Sequence, residues 1–177
     1  WDDSMEGSDS ITIGHVLAAV AKKEEPNMIF AGVQSSDEAN ASTGISLAKK
    51  LGWPHAAVVA GLQYKANDSK AVISRELEGG VSQEVEIICP SVLTIQLGIN
   101  TPRYASLRGI KQANKIEIEE LSSSDLGMTE QEVGLNSAKS NVRRMYVPVK
   151  GMAEMIEGTP AEKAAKLIEI IKNFKGE

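Results

Sequence analysis

Apolar positions along the chain follow helical spacing in its outer parts and strand-like runs between them. Ile13, Val16, Leu17 and Val20 recur at helical intervals and predict one apolar stripe. Ser8, Asp9 and Ser10 precede them as candidate N-caps, Lys22 and Lys23 suit the helix end, and residues 24–26 break it. His15 falls off the stripe and is expected to be solvated and without a role. Residues 27–32 read as a buried strand, and residues 43–51 as a helix with Leu47 and Leu51 inward and Gly52 as a left-handed cap. Residues 56–60 read as a second strand. Strand, helix and strand then form a parallel βαβ unit. After it the pattern turns β-rich. Residues 62–64 and 71–77 predict a hairpin, residues 81–88 a further strand, and 91–97 its extended continuation beyond Cys89-Pro90. This predicts a β-rich appendage on an α/β, Rossmann-like parallel-sheet core.

Residues 100–102 suggest a turn and 106–115 a short helix. Residues 116–121 alternate apolar with acidic side chains, which predicts an edge strand. Residues 122–139 are polar and poorly periodic and are expected to form an extended arm or loops; 141–150 are basic and partly extended. Thr159-Pro160-Ala161-Glu162 is a capping box with proline at the first helical position. It opens a helix to Phe174 with Ala164, Leu167, Ile168 and Ile171 on its apolar face. The expected organisation is a core with appendage at 1–121 and a C-terminal arm ending in a helix at 122–177. Trp1, in place of Met, and the two aspartates after it read as the end of a strand running into a loop. A strand of the core is therefore expected to precede residue 1, absent through processing, disorder or truncation.

Between strand and helix lies the stretch 30–44, rich in small and hydrogen-bonding side chains: Gly32, Gln34, Ser35, Ser36, Asp37, Asn40, Ser42 and Thr43. A βα loop entering a helix can offer backbone N–H groups and hydroxyls to an anion, and the helix dipole favours the same charge. The residues alone allow either a phosphate-binding loop or an ordinary polar crossover.

Composition removes several other classes. Hydrophobic residues make up 42% and charged residues 24%, as in a globular domain with a proper core. Aromatic residues at 4% leave little for stacking single-stranded nucleic acid, and a net charge of -5 without a long basic run disfavours a phosphate backbone as partner. The one cysteine, Cys89, lies in an apolar run, so a buried thiol and a reducing, cytoplasmic setting are expected. No apolar run spans a membrane. With His15, His55 and Cys89, the chain offers no nucleophile–base pair, no metal-ligand spacing and no Walker-type lysine.

Four motifs, in order, carry a resemblance. They are Gly32-Val33-Gln34-Ser35-Ser36-Asp37 with Ser42-Thr43-Gly44; Leu51-Gly52-Trp53-Pro54; Arg75-Glu76-Leu77-Glu78-Gly79-Gly80; and Asn100-Thr101-Pro102-Arg103-Tyr104-Ala105-Ser106-Leu107, followed by Ile110 and Lys111. Through them the chain resembles the beta (small) subunit of electron transfer flavoprotein over essentially its whole length. The wording is closest to the flavoproteins that serve trimethylamine dehydrogenase in methylotrophic bacteria, and the family's N-terminal part is missing. The resemblance implies a fold like that of the adenine-nucleotide hydrolases and a heterodimer with an alpha subunit that carries most of the FAD. It also implies AMP bound here without turnover, and electrons taken from a primary dehydrogenase toward the respiratory chain. A stand-alone nucleotide sensor of the universal-stress type, and a hydrolase or ligase of the same fold, are the competing readings. The β-rich segment and the fourth motif disfavour the sensor, and the missing catalytic groups disfavour the hydrolase.

Residue by residue, the resemblance assigns AMP binding to Gly32, Val33, Gln34, Ser35, Ser36, Asp37, Ala41, Ser42 and Thr43. Val33 departs from the family's frequent lysine, which removes one charge partner for phosphate. Asp37 is expected to hold the loop rather than touch phosphate. Arg103, Tyr104, Ala105, Ser106, Leu107, Ile110 and Lys111 match the loop that docks dehydrogenases, with Leu107 as its anchor. From burial statistics alone a leucine there would be core. Glu76 matches an interface carboxylate that pairs with an arginine of the alpha subunit near the flavin. Trp53 and Pro54 read as packing and turn residues, and residues 122–177 are expected to pack on the partner. Bifurcating relatives hold a second FAD behind a glycine–small–aspartate–threonine run followed by alanine and threonine. Here the run is Gly7-Ser8-Asp9-Ser10, then Ile11, Thr12 and Ile13, whose bulk is expected to suit AMP.

Overall fold

A computed structural model describes residues 3–149, 151 and 153–174. The expected strand end at Trp1 and Asp2, and Lys150 of the basic segment, lie outside the described residues. The chain divides into two compact units, Trp1–Asn141 and Val142–Glu177, a later division than the 121/122 boundary expected from the pattern.

In the first unit, helix α1 (Ser10–Glu24) leads to strand β1 (Met28–Gly32), helix α2 (Thr43–Leu51) and strand β2 (His55–Gln63). Strands β3 (Lys70–Glu76), β4 (Ser82–Ile88) and β5 (Ser91–Ile95) follow, then the short helices α3 (Leu107–Ala113) and α4 (Gly134–Ser137). The five strands form one mixed sheet in the order β1-β5-β2-β3-β4. β5 pairs parallel with both β1 and β2, while β3 and β4 extend the sheet antiparallel. Two expectations change accordingly. The β-rich segment is no appendage but the continuation of the same sheet. Residues 91–95 do not prolong β4: they form the central parallel strand, inserted between β1 and β2. Ser91, Val92, Leu93 and Thr94 are all buried, the mark of a parallel strand covered on both faces.

α1 and α2 lie against each other on one face of the sheet, where Ala18, Leu47, Ala48 and Val92 make a core with Trp53 at its margin. On the other face Ala56, Val59, Ala71, Ile73, Ile87 and Leu93 cluster. The buried residues of α1 are not the predicted stripe. Val16 is buried, but Leu17 is 41% exposed, and the residues set against α2 are the small Gly14 and Ala18, with Ala21 also buried. Small residues face inward because the helices approach closely: a Cβ on Gly14 would lie 2.7 Å from Ser46 Cβ and 2.9 Å from the Leu47 nitrogen. α2 ends at Gly52 in the left-handed conformation (φ 71), with the Trp53 N–H donating to Ala48 O at 3.0 Å.

The predicted edge strand at 116–121 does not form. Its alternation is a solvent-exposed segment, with Ile116 and Ile118 uncovered and Glu119 paired with Lys23 at 2.8 Å. Of the arm or loops expected at 122–139, the structure shows turns and loops around the short α4, and they are packed down. Val133 packs with Met5 and Val16, beside Leu126 and Met128. Asp9 ties the same segment down. It caps α1 by accepting from the Thr12 N–H (2.8 Å), and its other oxygen accepts from the N–H groups of Lys139 (2.7 Å) and Ser140 (2.9 Å). Burial pushes the Asp9 carboxyl up, but the N–H groups of Thr12, Lys139 and Ser140 outweigh it and bring its pKa down to about 2. His15 is half-buried rather than solvated; burial, then the Lys50 charge, lowers its pKa. Cys89 is a half-buried free thiol.

The second unit holds helix α5 (Pro160–Phe174). Its capping box is formed: the Thr159 N–H and hydroxyl each donate to Glu162 Oε2 at 2.8 Å, which lowers the Glu162 pKa. Leu167, Ile168 and Ile171 line an exposed apolar face. Upstream, the Arg144 guanidinium lies 5.5 Å from the centre of the Tyr146 ring.

Candidate functional site

The loop between β1 and α2 closes round a cavity of about 460 Å³ at the carboxyl end of β1. This is where open α/β sheets bind ligands. Gly32, Val33, Gln34, Ser35, Asp37, Ala41, Ser42 and Thr43 line it. Ser36, assigned with them, is not in the lining. Ser10, Ile13, Ala31, Glu38 and Asn40 are. α1 therefore supplies a wall of the site through Ser10 and Ile13; the loop reading passed over Ser10 and, within the loop itself, Glu38.

The electrostatics of the cavity follow from the start of α2. Ser42 occupies the N-cap position but makes no capping hydrogen bond; its hydroxyl lies 2.7 Å from that of Ser10. The first turn of α2 therefore has no side-chain acceptor of its own, and Thr43 at its start borders the cavity. N–H groups in that state suit an anion. Gly32 leaves open space, since a Cβ there would meet no atom within 4 Å. Ala39 (φ 52) and Ala41 (φ 50) both hold left-handed backbone, which costs about 1–2 kcal/mol each and is concentrated at binding loops. Asp37 turns its carboxylate into the loop: the Ser35 hydroxyl and the Glu38 N–H (2.7 Å) lower its pKa. Val33 leaves no cation among the lining residues, so any phosphate must be held by neutral donors and the helix dipole.

Of the two bulk changes on α1, only one bears on the cavity. Ile13 lines it. Thr12 is buried, and its hydroxyl donates to Ser137 Oγ at 3.3 Å, toward α4.

The second assigned cluster sits elsewhere on the first unit. Ser106 caps α3 by accepting from the Gly109 N–H at 3.1 Å. Leu107 is 81% exposed and Tyr104 wholly so, with Ile110 partly exposed. Leu107 is thus no core leucine of this chain. Glu76 ends β3, exposed, with Oε2 accepting from Gln96 Nε2 at 3.0 Å.

An electron transfer flavoprotein domain matches residues 1–126. The chain is also 66% identical over 176 residues to the electron transfer flavoprotein subunit beta of Methylophilus methylotrophus, covering 99% of this chain and 67% of that protein. The chain belongs to the electron transfer flavoprotein family. Two further beta subunits agree: that of Bradyrhizobium diazoefficiens is 34% identical over 84% of the chain and 59% of its own length. That of Bacillus subtilis is 29% identical over 97% of the chain and 65% of its own length. The chain thus spans about two thirds, or somewhat less, of the length of these relatives. Electron transfer flavoprotein beta is an electron-carrier subunit and implies an alpha-subunit partner. This displaces the stand-alone sensor and the hydrolase. Among the described residues no helix is long and apolar enough to cross a membrane.

Proposed function

We propose that this chain holds AMP in the cavity between α1 and the 32–43 loop. In this reading it pairs with an alpha subunit carrying most of the FAD and docks a primary dehydrogenase through residues 103–111. Electrons then pass by way of the alpha subunit's FAD toward the respiratory chain, in the bacterial cytoplasm. The observation that carries the reading is the nucleotide-sized cavity at the uncapped start of α2. Its volume lies in the small-ligand range of roughly 300–1,000 Å³. Gly32, Ser35, Ser42 and Thr43 offer backbone and hydroxyl donors there, and Ser10 joins them from α1. AMP has a structural role: it fills the gap between loop and helix. Ile13 narrows the wall and favours AMP over a second FAD.

The exposed Tyr104 and Leu107 support docking, because one apolar side chain on a surface helix can anchor an interface. The relationship to the Methylophilus protein favours trimethylamine dehydrogenase as the docked enzyme. The exposed apolar face of α5 supports its packing on the alpha subunit. The test is to purify the full-length protein with its alpha subunit, denature it and extract the ligands. One AMP and one FAD per heterodimer are expected. ATP, NADH, two FAD, or no nucleotide besides one FAD would refute the AMP assignment.

A further inference from the structure

Gln96, the residue after β5, is placed by backbone and side chain alike. Its N–H donates to Val59 O at 2.9 Å, beside the irregularity where β2 shifts register against β5. That irregularity is itself pinned. Val58 holds left-handed backbone (φ 58), and its N–H donates to Thr94 Oγ1 at 3.1 Å. From this base the Gln96 side chain makes two bonds. Oε1 accepts from the Leu97 N–H at 3.1 Å, and Nε2 donates to Glu76 Oε2 at 3.0 Å. The first bond fixes which way the amide faces, so its donor must point at Glu76.

We infer that Gln96 is a positioning residue for Glu76. It holds one carboxylate oxygen and leaves the other open to a cationic group of the partner subunit. The inference rests on the reading of Glu76 as an interface residue. An amide is suited to the task because it donates without charge. A lysine in its place would neutralise Glu76, whereas glutamine orients the carboxylate and preserves its charge for the partner. Neither of the ion pairs Lys23–Glu119 and Lys70–Glu86 involves Glu76, whose bond from Gln96 is to a neutral donor. An unsupported Glu on a strand end would lose rotamer freedom on association; here that loss is taken before the partner arrives.

The test is a double-mutant cycle on the full-length beta subunit, titrated against fluorescently labelled alpha subunit, with thermal melts of each variant. Glu76→Gln should raise the dissociation constant. Gln96→Leu should raise it about three- to tenfold, the size of one net hydrogen bond, and should add nothing in the Glu76→Gln background. Gln96→Glu keeps the side chain's shape and its bond to Leu97 but repels Glu76. It should weaken association more than Gln96→Leu at low salt and less so at high salt, with an unchanged melt. If Glu76→Gln leaves the affinity unaltered, the interface reading falls and this inference with it. If Glu76→Gln weakens association but Gln96→Leu does not, or weakens it equally in both backgrounds, Glu76 stands and the positioning role is refuted.

Discussion

Truncating Leu107 to alanine separates docking from folding, because the two readings move different measurements. At 81% exposure, roughly a fifth of the side chain is covered within the chain. Full burial of a leucine is worth about 1.5–3 kcal/mol, so the substitution should cost the fold only about 0.3–0.6 kcal/mol. For a domain of this size that is a melting shift of about 1–2 °C. Ser106 and Gly109, which set the start of α3, are untouched, and alanine suits a helix at least as well as leucine. If Leu107 fills a pocket on the dehydrogenase, truncation should instead cost about 1–3 kcal/mol of association, roughly five- to 150-fold. The assay is steady-state reduction of the flavoprotein by trimethylamine dehydrogenase, with the flavoprotein as varied substrate. The apparent half-saturation should rise while FAD and AMP contents stay unchanged. A variant that melts several degrees lower, yet transfers electrons normally per folded molecule, would refute the reasoning.

Four further substitutions probe the site and its supports. Ser42→Ala should weaken retention of AMP through dialysis of the heterodimer, whereas Ser36→Ala, outside the cavity lining, should leave it unchanged. Gly14→Ala should destabilise the first unit by about 1–3 kcal/mol in urea titrations, since the new methyl meets Ser46 Cβ and the α2 backbone at Leu47 and Thr43, none of them the far end of a flexible side chain. Asp9→Asn should cost about 1–2 kcal/mol near pH 7. The folded pKa of Asp9 is depressed, to about 2 from 3.8. Its contribution, roughly 2 kcal/mol, is therefore present above pH 4 and lost as the pH falls toward 2. Urea midpoints of the wild type and Asp9→Asn should converge over that acid range; a constant gap would show that the charge is not what matters.

How much was legible depended on whether the signal was local. β1, α2 and the loop between them could be read because apolar runs, the Gly52 cap and the strand–loop–helix order are all written in adjacent residues. The place of β5 could not, because strand order is a long-range property. The run Ser91-Val92-Leu93-Thr94-Ile95 does carry a clue: it contains no charge, as a strand buried on both faces requires. The inward face of α1 was misread because large apolar residues usually mark the buried side. Here closeness to α2 decides, and closeness selects the small Gly14 and Ala18. The alternation at 116–121 failed for the converse reason, since period two describes a strand only where a neighbour pairs with it. Within the site, the loop's own residues announced themselves. Ser10 reached the cavity only through the packing of α1 on α2, which no spacing in the loop encodes. Leu107 shows the limit of burial statistics: composition argues for the interior, and the start of α3 lies in solvent.

The insertion of β5 between β1 and β2 also governs the order in which this sheet can be made. Synthesis delivers β1, then β2, but among the described strands β1 pairs only with β5, and β2 reaches β1 only through it. Until residue 95 has left the ribosome, β1 has none of its partners here and β2 lacks its parallel one. The hairpin of β3 and β4, by contrast, can close as soon as it emerges. The nascent chain therefore carries an open slot flanked by two unpaired edges, the kind of surface that invites pairing with another chain. α2, which joins the two sides of that slot, is the local element already able to cover one face of it while it waits.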